Sequence, residues 1–355
     1  MLIYWLLFAY PAVLAFAYPT GPKPAGNSAG QTIALAGFVV FYTLLAGLRW
    51  DVGGDWGNYV EIYDEIALAT LGEALTITDP LFGLVNWVAA QFDLGVYFVN
   101  GVCSFLLIVG VARIVGSLRE PWLAMLMAVP YLLIVVGLGY IRQGAAIGLL
   151  LLAMNAYDRG SLLRTAAYLL IGVGFHSTAI MVFPLFALSL AQRHKIMALI
   201  LAVVSVYAYF GLVVPRLDKF NAGYLEAELE STGAATRVLM SFLPSVLLLL
   251  RWRHFGTTER VRPIWLTIAI ANIIAMAALF LTPSSTAVDR AALYFSVAQL
   301  AMFGEFRNLI PYSERMVSFV RILLFVLAAL VQTVWLVYAT NAEFWVPYKT
   351  LFEAF

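Results

Sequence analysis

The chain has 355 residues, of which 63% are apolar and only 12% charged, with a formal net charge of +1. Soluble globular domains carry roughly 25% charged residues, so the composition excludes an ordinary soluble protein, and the near-neutral charge leaves no footprint for nucleic acid. Long apolar runs in place of short alternating segments exclude an outer-membrane barrel, which leaves an all-α polytopic membrane protein.

The chain opens on MLIYWLLFAY, which lacks a basic region and reads as a retained helix, not a cleaved signal. A bilayer span takes about 20 apolar residues, with roughly 17 as the low end. Spans are therefore expected near 2–18, 31–48, 95–112, 121–139, 142–157, 161–175, 177–191, 195–214, 236–251, 262–282, 288–304 and 317–340, about twelve in all. Gly21-Pro22-Lys23-Pro24 is a rigid turn after the first. The segment 79–92 is too short to cross and is expected to be re-entrant or interfacial. The pair 161–175 and 177–191 is also short, and Gly172, Gly174 and Pro184 point to broken helices. Such backbone survives in a membrane only where protein or a water-filled cavity satisfies it. No internal repeat or low-complexity linker divides the chain, so a single integral-membrane domain over 1–355 is expected.

Basic residues then set the orientation. Arg113…Arg119, Asp158-Arg159…Arg164, Gln192-Arg193-His194-Lys195, Arg251…Arg262 and Arg307…Arg315…Arg321 all fall on one side, read as cytoplasmic, if 79–92 does not cross. Both termini then face outward. The outward loops are acidic by contrast: loop 49–80 carries Asp51, Asp55, Glu61, Asp64, Glu65, Glu73 and Asp79, and loop 215–235 carries Asp218, Glu226, Glu228 and Glu230. Arg142 and His176 fall on this same side.

Arg142-Gln143-Gly144-Ala145-Ala146 heads a membrane helix. A guanidinium at the edge of hydrocarbon is expensive unless it is paired. Arg142 suits bidentate pairing with phosphate oxygens, Gln143 adds an amide donor, and the start of a helix favours an anion. A structural ion pair with a loop carboxylate is the competing reading. In Arg49-Trp50-Asp51-Val52-Gly53-Gly54-Asp55-Trp56-Gly57-Asn58-Tyr59, paired glycines permit φ > 0. Trp50, Trp56 and Tyr59 beside Asp51 and Asp55 suit a sugar, and an interfacial aromatic belt is the plainer alternative. His176, in Gly172-Val173-Gly174-Phe175-His176-Ser177-Thr178, lies at the helix break and can serve as base or as packing residue. Asp289-Arg290 with Tyr294 starts another outward helix, either as a self-neutralising pair or with Arg290 as a second phosphate clamp. Arg216 is a weaker candidate for contact with substrate. Cys103 stands alone in an apolar run, and the three histidines show no metal-ligand spacing.

Arg49…Gly54-Asp55…Tyr59, Ile141-Arg142-Gln143-Gly144-Ala145-Ala146, Phe175-His176-Ser177-Thr178-Ala179, Asp289-Arg290…Tyr294 and the late Val346-Pro347-Tyr348-Lys349 occur in the order and spacing of the EpsG family. The chain resembles that family over nearly its full length. Gly54 stands where the family has Thr before the Asp, and Ala145 where it has Leu. EpsG proteins are exopolysaccharide polymerases similar to the Wzy O-antigen and capsule polymerases. The resemblance implies a GT-C-like enzyme of the bacterial inner membrane, with its active site on the periplasmic side. Donor and acceptor would be undecaprenyl-pyrophosphate-linked oligosaccharides, and a flippase and a chain-length co-polymerase would be its partners beside membrane lipid. Arg142 would neutralise the leaving pyrophosphate, with Arg290 or Arg49 assisting. His176, or second Asp55, would take the acceptor proton. Arg49, Trp50, Asp51, Trp56, Tyr59, Gln143, Arg216, Asp289, Arg290, Tyr294 and Tyr348 would contact substrate. The scheme needs no cofactor and no metal, although Asp51 and Asp55 have the donor chemistry for a divalent ion. An O-antigen-ligase-like transferase and a lipid-linked-sugar flippase are the alternatives.

Overall fold

A computed structural model describes residues 1–18, 28–208, 210, 233–281, 285–309 and 313–353. The turn at Gly21-Pro22, most of loop 215–235 and Arg216 lie outside the described residues. Within them the chain is helical, and the only pairing of extended backbone is a bridge between Arg49 and Thr350. Among the described residues, five helices are long and apolar enough to cross a membrane: Ala29–Gly47, Gly95–Val115, Pro121–Gly139, Arg262–Leu281 and Glu314–Tyr338. Leu2–Ala17, Leu162–Phe175, Ser177–Leu190, Lys195–Tyr207 and Ala234–Leu250 are shorter apolar helices.

The chain divides into two compact units, Met1–Ser177 with Phe303–Phe355, and Thr178–Met302. The first opens with α1 (Leu2–Ala17) and α2 (Ala29–Gly47). Ser28 and Gln31 form a capping box that starts α2. The expected loop 49–80 is mostly helix: α3 (Trp56–Ala67) and α4 (Leu71–Ile77), the latter started by a Thr70–Glu73 capping box. The loop reading rested on acidity, yet amphipathic helices are acidic on their wet faces too. Next come α5 (Pro80–Gln91), with Pro80 in its first turn, and α6 (Gly95–Val115). At 12 residues α5 is about 18 Å long, too short for a span, as the sequence indicated.

Helix α7 (Pro121–Ala128) continues into a π-helical stretch, Val129–Val136. This is not the regular helix its apolarity suggested. A π-helical turn leaves carbonyls off the i→i+4 ladder, and two are taken by distant side chains: Tyr42 Oη donates to Leu133 O at 2.8 Å and Trp345 Nε1 to Ile134 O at 3.2 Å. The chain breaks at Tyr140 and restarts as α8 (Ile141–Asp158), buried along almost its whole length. Gly148 permits this burial, because any Cβ there would collide with the backbone of α6 at Leu106. Small residues are what allow membrane helices to touch backbone to backbone. Helix α9 (Leu162–Phe175) then runs to an extended residue, His176.

In the second unit a 3₁₀ turn (Ser177–Val182, whose first residue closes the first unit) leads to α10 (Phe183–Leu190), so the predicted break between 175 and 177 is present. It is followed by α11 (Lys195–Ala208), α12 (Ala234–Leu250), α13 (Arg262–Leu281) and α14 (Ser285–Phe295). The span expected over 288–304 is broken between α14 and α15 (Ala298–Gly304). Buried Asn272 makes the break tolerable: its amide donates to Phe295 O at 2.8 Å and to Ser245 Oγ at 2.9 Å. Its sequence signal was weak, one amide in an apolar run.

Replacing Asn272 with Leu leaves the Phe295 carbonyl without that donor. The expected cost is about 1–2 kcal/mol, read as a lower thermal midpoint in detergent. An unchanged midpoint would show that the break does not depend on Asn272.

Candidate active site

Arg142 lies in the first turn of α8, after the Tyr140 break. Its guanidinium rests over two aromatic rings, 6.0 Å from the Tyr59 centroid and 5.6 Å from that of Phe82. Tyr59 and Phe82 pack edge to face at 5.9 Å, so α3 and α5 together form the cradle. Cation–π contact of this kind holds a guanidinium in place without neutralising it. Nη1 donates to Thr78 Oγ1 at 3.0 Å and to Asp79 Oδ2 at 3.2 Å. The competing reading, an ion pair with a loop carboxylate, is therefore present, and its partner is Asp79, the residue that precedes α5.

Asp79 also reaches the helix break. Its Oδ2 lies 3.1 Å from His176 Nδ1, and its Oδ1 accepts the Ser177 amide at 2.9 Å. A carboxylate only accepts, so Nδ1 of His176 carries the proton, and in the neutral imidazole the lone pair is on Nε2. Gly174 makes the approach possible, because a Cβ at that position would stand 2.6 Å from Leu81 in the first turn of α5. Burial pushes the Asp79 carboxyl up. The hydrogen bond and charge of His176, the Ser177 amide and Arg142 outweigh it and hold the carboxyl below the usual carboxylate range. Sequence reasoning counted Asp79 among the loop acids and did not single it out. Its signal was available: an acid immediately before Pro and a short apolar helix.

The glycine motif folds as a tight turn, with positive φ at Asp51 (50°) and Gly53 (102°). Asp55 is the residue before α3 and lies beside Tyr59. Arg49 is fully buried. It donates to Val52 O at 2.9 Å and Ala46 O at 3.0 Å, and its guanidinium sits 5.4 Å from the Trp56 centroid. These contacts tie the end of α2 to the turn, so Arg49 builds the motif and offers no face to a ligand. Trp56 and Tyr59 are likewise buried and support the two guanidiniums, where stacking on a sugar was expected. Burial, then the Asp55 charge, raise the Tyr59 phenol above its ordinary range, while Arg142 and Arg49 pull it down. Gln143 is buried as well.

The C-terminal segment 344–351 is laced onto this turn. Gly53 N donates to Phe344 O at 2.7 Å, Trp50 N to Lys349 O at 3.0 Å, and Leu351 N to Leu48 O at 2.8 Å. Lys349 pairs with Asp51 at 2.7 Å and lies over the Trp50 ring. The buried Tyr348 gives its hydroxyl to Leu45 O. Asp51, Gly53, Glu343, Phe344, Pro347 and Lys349 line a shallow cavity of about 310 Å³. Asp51, Trp50 and Lys349 thus remain accessible, and Tyr348 is structural.

In the second unit, Asp289 is gripped by Arg237, with Nε at 3.0 Å and Nη2 at 2.6 Å. Arg237, from α12, was absent from the sequence reading. Arg290 is exposed beside this pair. Tyr294 is buried, and its hydroxyl lies 3.0 Å from Thr178 Oγ1, which links the late motif to the residues after His176. Among the described residues, no three His, Cys, Asp or Glu side chains converge as a metal site.

A carboxyl held below its ordinary range stabilises the fold above the unfolded value, near pH 4, and loses that contribution as pH falls through its lower folded value. Thermal midpoints of wild type and Asp79→Asn should therefore differ at about pH 5 and converge as the pH falls below about 4. Coinciding midpoints at pH 5 would show that these partners do not hold the charge.

No curated protein and no solved structure matches the chain. A family model does: that of the EpsG family matches residues 33–350, a stretch that takes in the glycine turn, Asp79, Arg142, His176 and the Asp289 motif. The chain belongs to the EpsG family.

Proposed function

We propose that the protein is a glycosyltransferase of the bacterial inner membrane, a polysaccharide polymerase that moves a growing glycan from undecaprenyl pyrophosphate onto a lipid-linked repeat unit at the periplasmic face. Membership of the EpsG family supports an exopolysaccharide-related polymerase, and the long apolar helices support a site within a membrane. The observation that carries the reaction is the placing of Arg142 and His176 on one carboxylate, Asp79. A cation for a leaving pyrophosphate and a base for an attacking hydroxyl are the two groups that such a transfer requires. The GT-C-like arrangement of about twelve spans, the outward position of the site, and the flippase and chain-length partners belong to the same proposal.

In this reaction the acceptor hydroxyl oxygen attacks the anomeric carbon of the donor glycan. The bond from that carbon to the phosphate oxygen breaks, and its electron pair stays with the pyrophosphate. Arg142 stabilises the charge that develops there. The proton of the hydroxyl passes to His176 Nε2, the nitrogen that faces away from Asp79. Asp55, at the start of α3, is the second candidate for this role. The accessible Asp51 and Trp50 beside Lys349 offer hydroxyl acceptors and a ring face to the saccharide. Undecaprenyl pyrophosphate is released.

The test is polymerisation by purified protein in nanodiscs, with the lipid-linked repeat unit as substrate and a glycan ladder as readout. Arg142→Ala is expected to lower the rate by roughly 10²–10³-fold, and His176→Ala by about 10²–10⁴-fold, with both variants still folded. A guanidinium takes the part a metal ion plays elsewhere, so EDTA is expected to leave the ladder unchanged. A full ladder from Arg142→Ala would overturn the assignment. A single transfer without a ladder would indicate a ligase, and movement of intact substrate across the bilayer a flippase.

A further inference from the structure

Asp79 does two things at once, and they oppose each other. It accepts from Arg142 Nη1 at 3.2 Å and from His176 Nδ1 at 3.1 Å through the same oxygen, Oδ2. Its other oxygen is occupied by the Ser177 amide. Three charged or titratable groups thus share one contact, brought there by α5, α8 and the end of α9. Both of Arg142's hydrogen bonds described above, to Thr78 and to Asp79, run through Nη1.

We infer that Asp79 is a positioning residue that holds Arg142 in the resting site and surrenders it to the donor pyrophosphate, so that its charge then serves His176 alone. The inference rests on the proposed reaction, in which Arg142 receives the pyrophosphate and His176 the proton. An arriving pyrophosphate carries more charge than one carboxylate and offers oxygens to both edges of the guanidinium. It competes with Asp79 for Arg142 and wins at the cost of one ion pair. Asp79 is not orphaned, because His176 Nδ1 and the Ser177 amide stay on it. When the acceptor proton reaches Nε2, the imidazolium formed lies against a carboxylate no longer shared with Arg142. The proton transfer therefore has that counter-charge undivided only when donor is bound. Asp55, Tyr59 and Cys103 are further titratable groups near this cluster, and Tyr59 presents a ring face to Arg142.

A carboxylate that only braced the site would affect binding and turnover in the same direction. A carboxylate that competes for Arg142 and orients His176 moves them in opposite directions. Removing its charge frees Arg142 for phosphate and loosens the imidazole. The experiment measures equilibrium binding of undecaprenyl pyrophosphate to the full-length protein in nanodiscs, together with kcat and donor KM, for wild type, Asp79→Asn, Asp79→Glu and Arg142→Ala. Asp79→Ser serves as a second neutral variant if asparagine does not yield folded protein, since serine is favoured at the position before a helix.

Asp79→Asn or Asp79→Ser is expected to bind undecaprenyl pyrophosphate about five- to tenfold more tightly, while kcat falls on the order of 10²-fold or more. Asp79→Glu, which keeps the charge, should show no such tightening. Binding that is unchanged or weaker in both neutral variants, with Arg142→Ala losing it, overturns this inference and leaves the pyrophosphate site standing. Wild-type binding retained in Arg142→Ala overturns the underlying reading itself.

Discussion

The site depends on a single carboxylate reaching three pieces of chain. Asp79 meets Arg142 of α8, the side chain of His176 at the end of α9, and the backbone of Ser177. An isolated guanidinium at the margin of hydrocarbon and a helix broken at mid-length are both costly. Here each is compensated by the same group. It accepts the Ser177 amide where α9 stops. Without it the Arg142 charge would rest on ring faces and the Thr78 hydroxyl. The short α5 delivers the carboxylate from the position just before its first turn.

A second set of constraints keeps that arrangement stationary. Arg49 ties the end of α2 to the glycine turn, and segment 344–351 adds backbone hydrogen bonds on the other side. Trp56 and Tyr59, at the start of α3, then stand under the two guanidiniums. Buried π-helical carbonyls in the stretch after α7 are answered by Tyr42 and Trp345. In the last case polar backbone groups are answered by side chains from distant parts of the sequence. That is the requirement a bilayer imposes on irregular structure.

Much of this was legible in the sequence because the environment makes polarity conspicuous. Arg142 and His176 stood out as polar residues where apolar ones are cheap, and Gly172, Gly174 and Pro184 marked the break between α9 and the 3₁₀ turn correctly. What was not legible is pairing over long separations. Asp79 lies 63 residues from Arg142 and 97 from His176, and in the sequence it was one acid among several in a stretch read as loop. The same stretch hid α3 and α4, since their polarity outweighed their periodicity. Arg237 was invisible as the partner of Asp289 because the adjacent Arg290 offered a nearer explanation. Trp56 and Tyr59 were read as sugar-binding rings, since nothing local distinguishes a ring under a guanidinium from a ring facing a sugar. The π-helical stretch and the break at Phe295 depend on which carbonyls find donors, which only the tertiary structure decides.

The most direct measurement is an experimental structure of the protein with undecaprenyl pyrophosphate bound. The account predicts phosphate oxygens on the guanidinium of Arg142, with Asp79 turned to His176 and the Ser177 amide alone, and His176 Nε2 facing the sugar side of the site. A pyrophosphate bound elsewhere, with Arg142 still paired to Asp79, would contradict it.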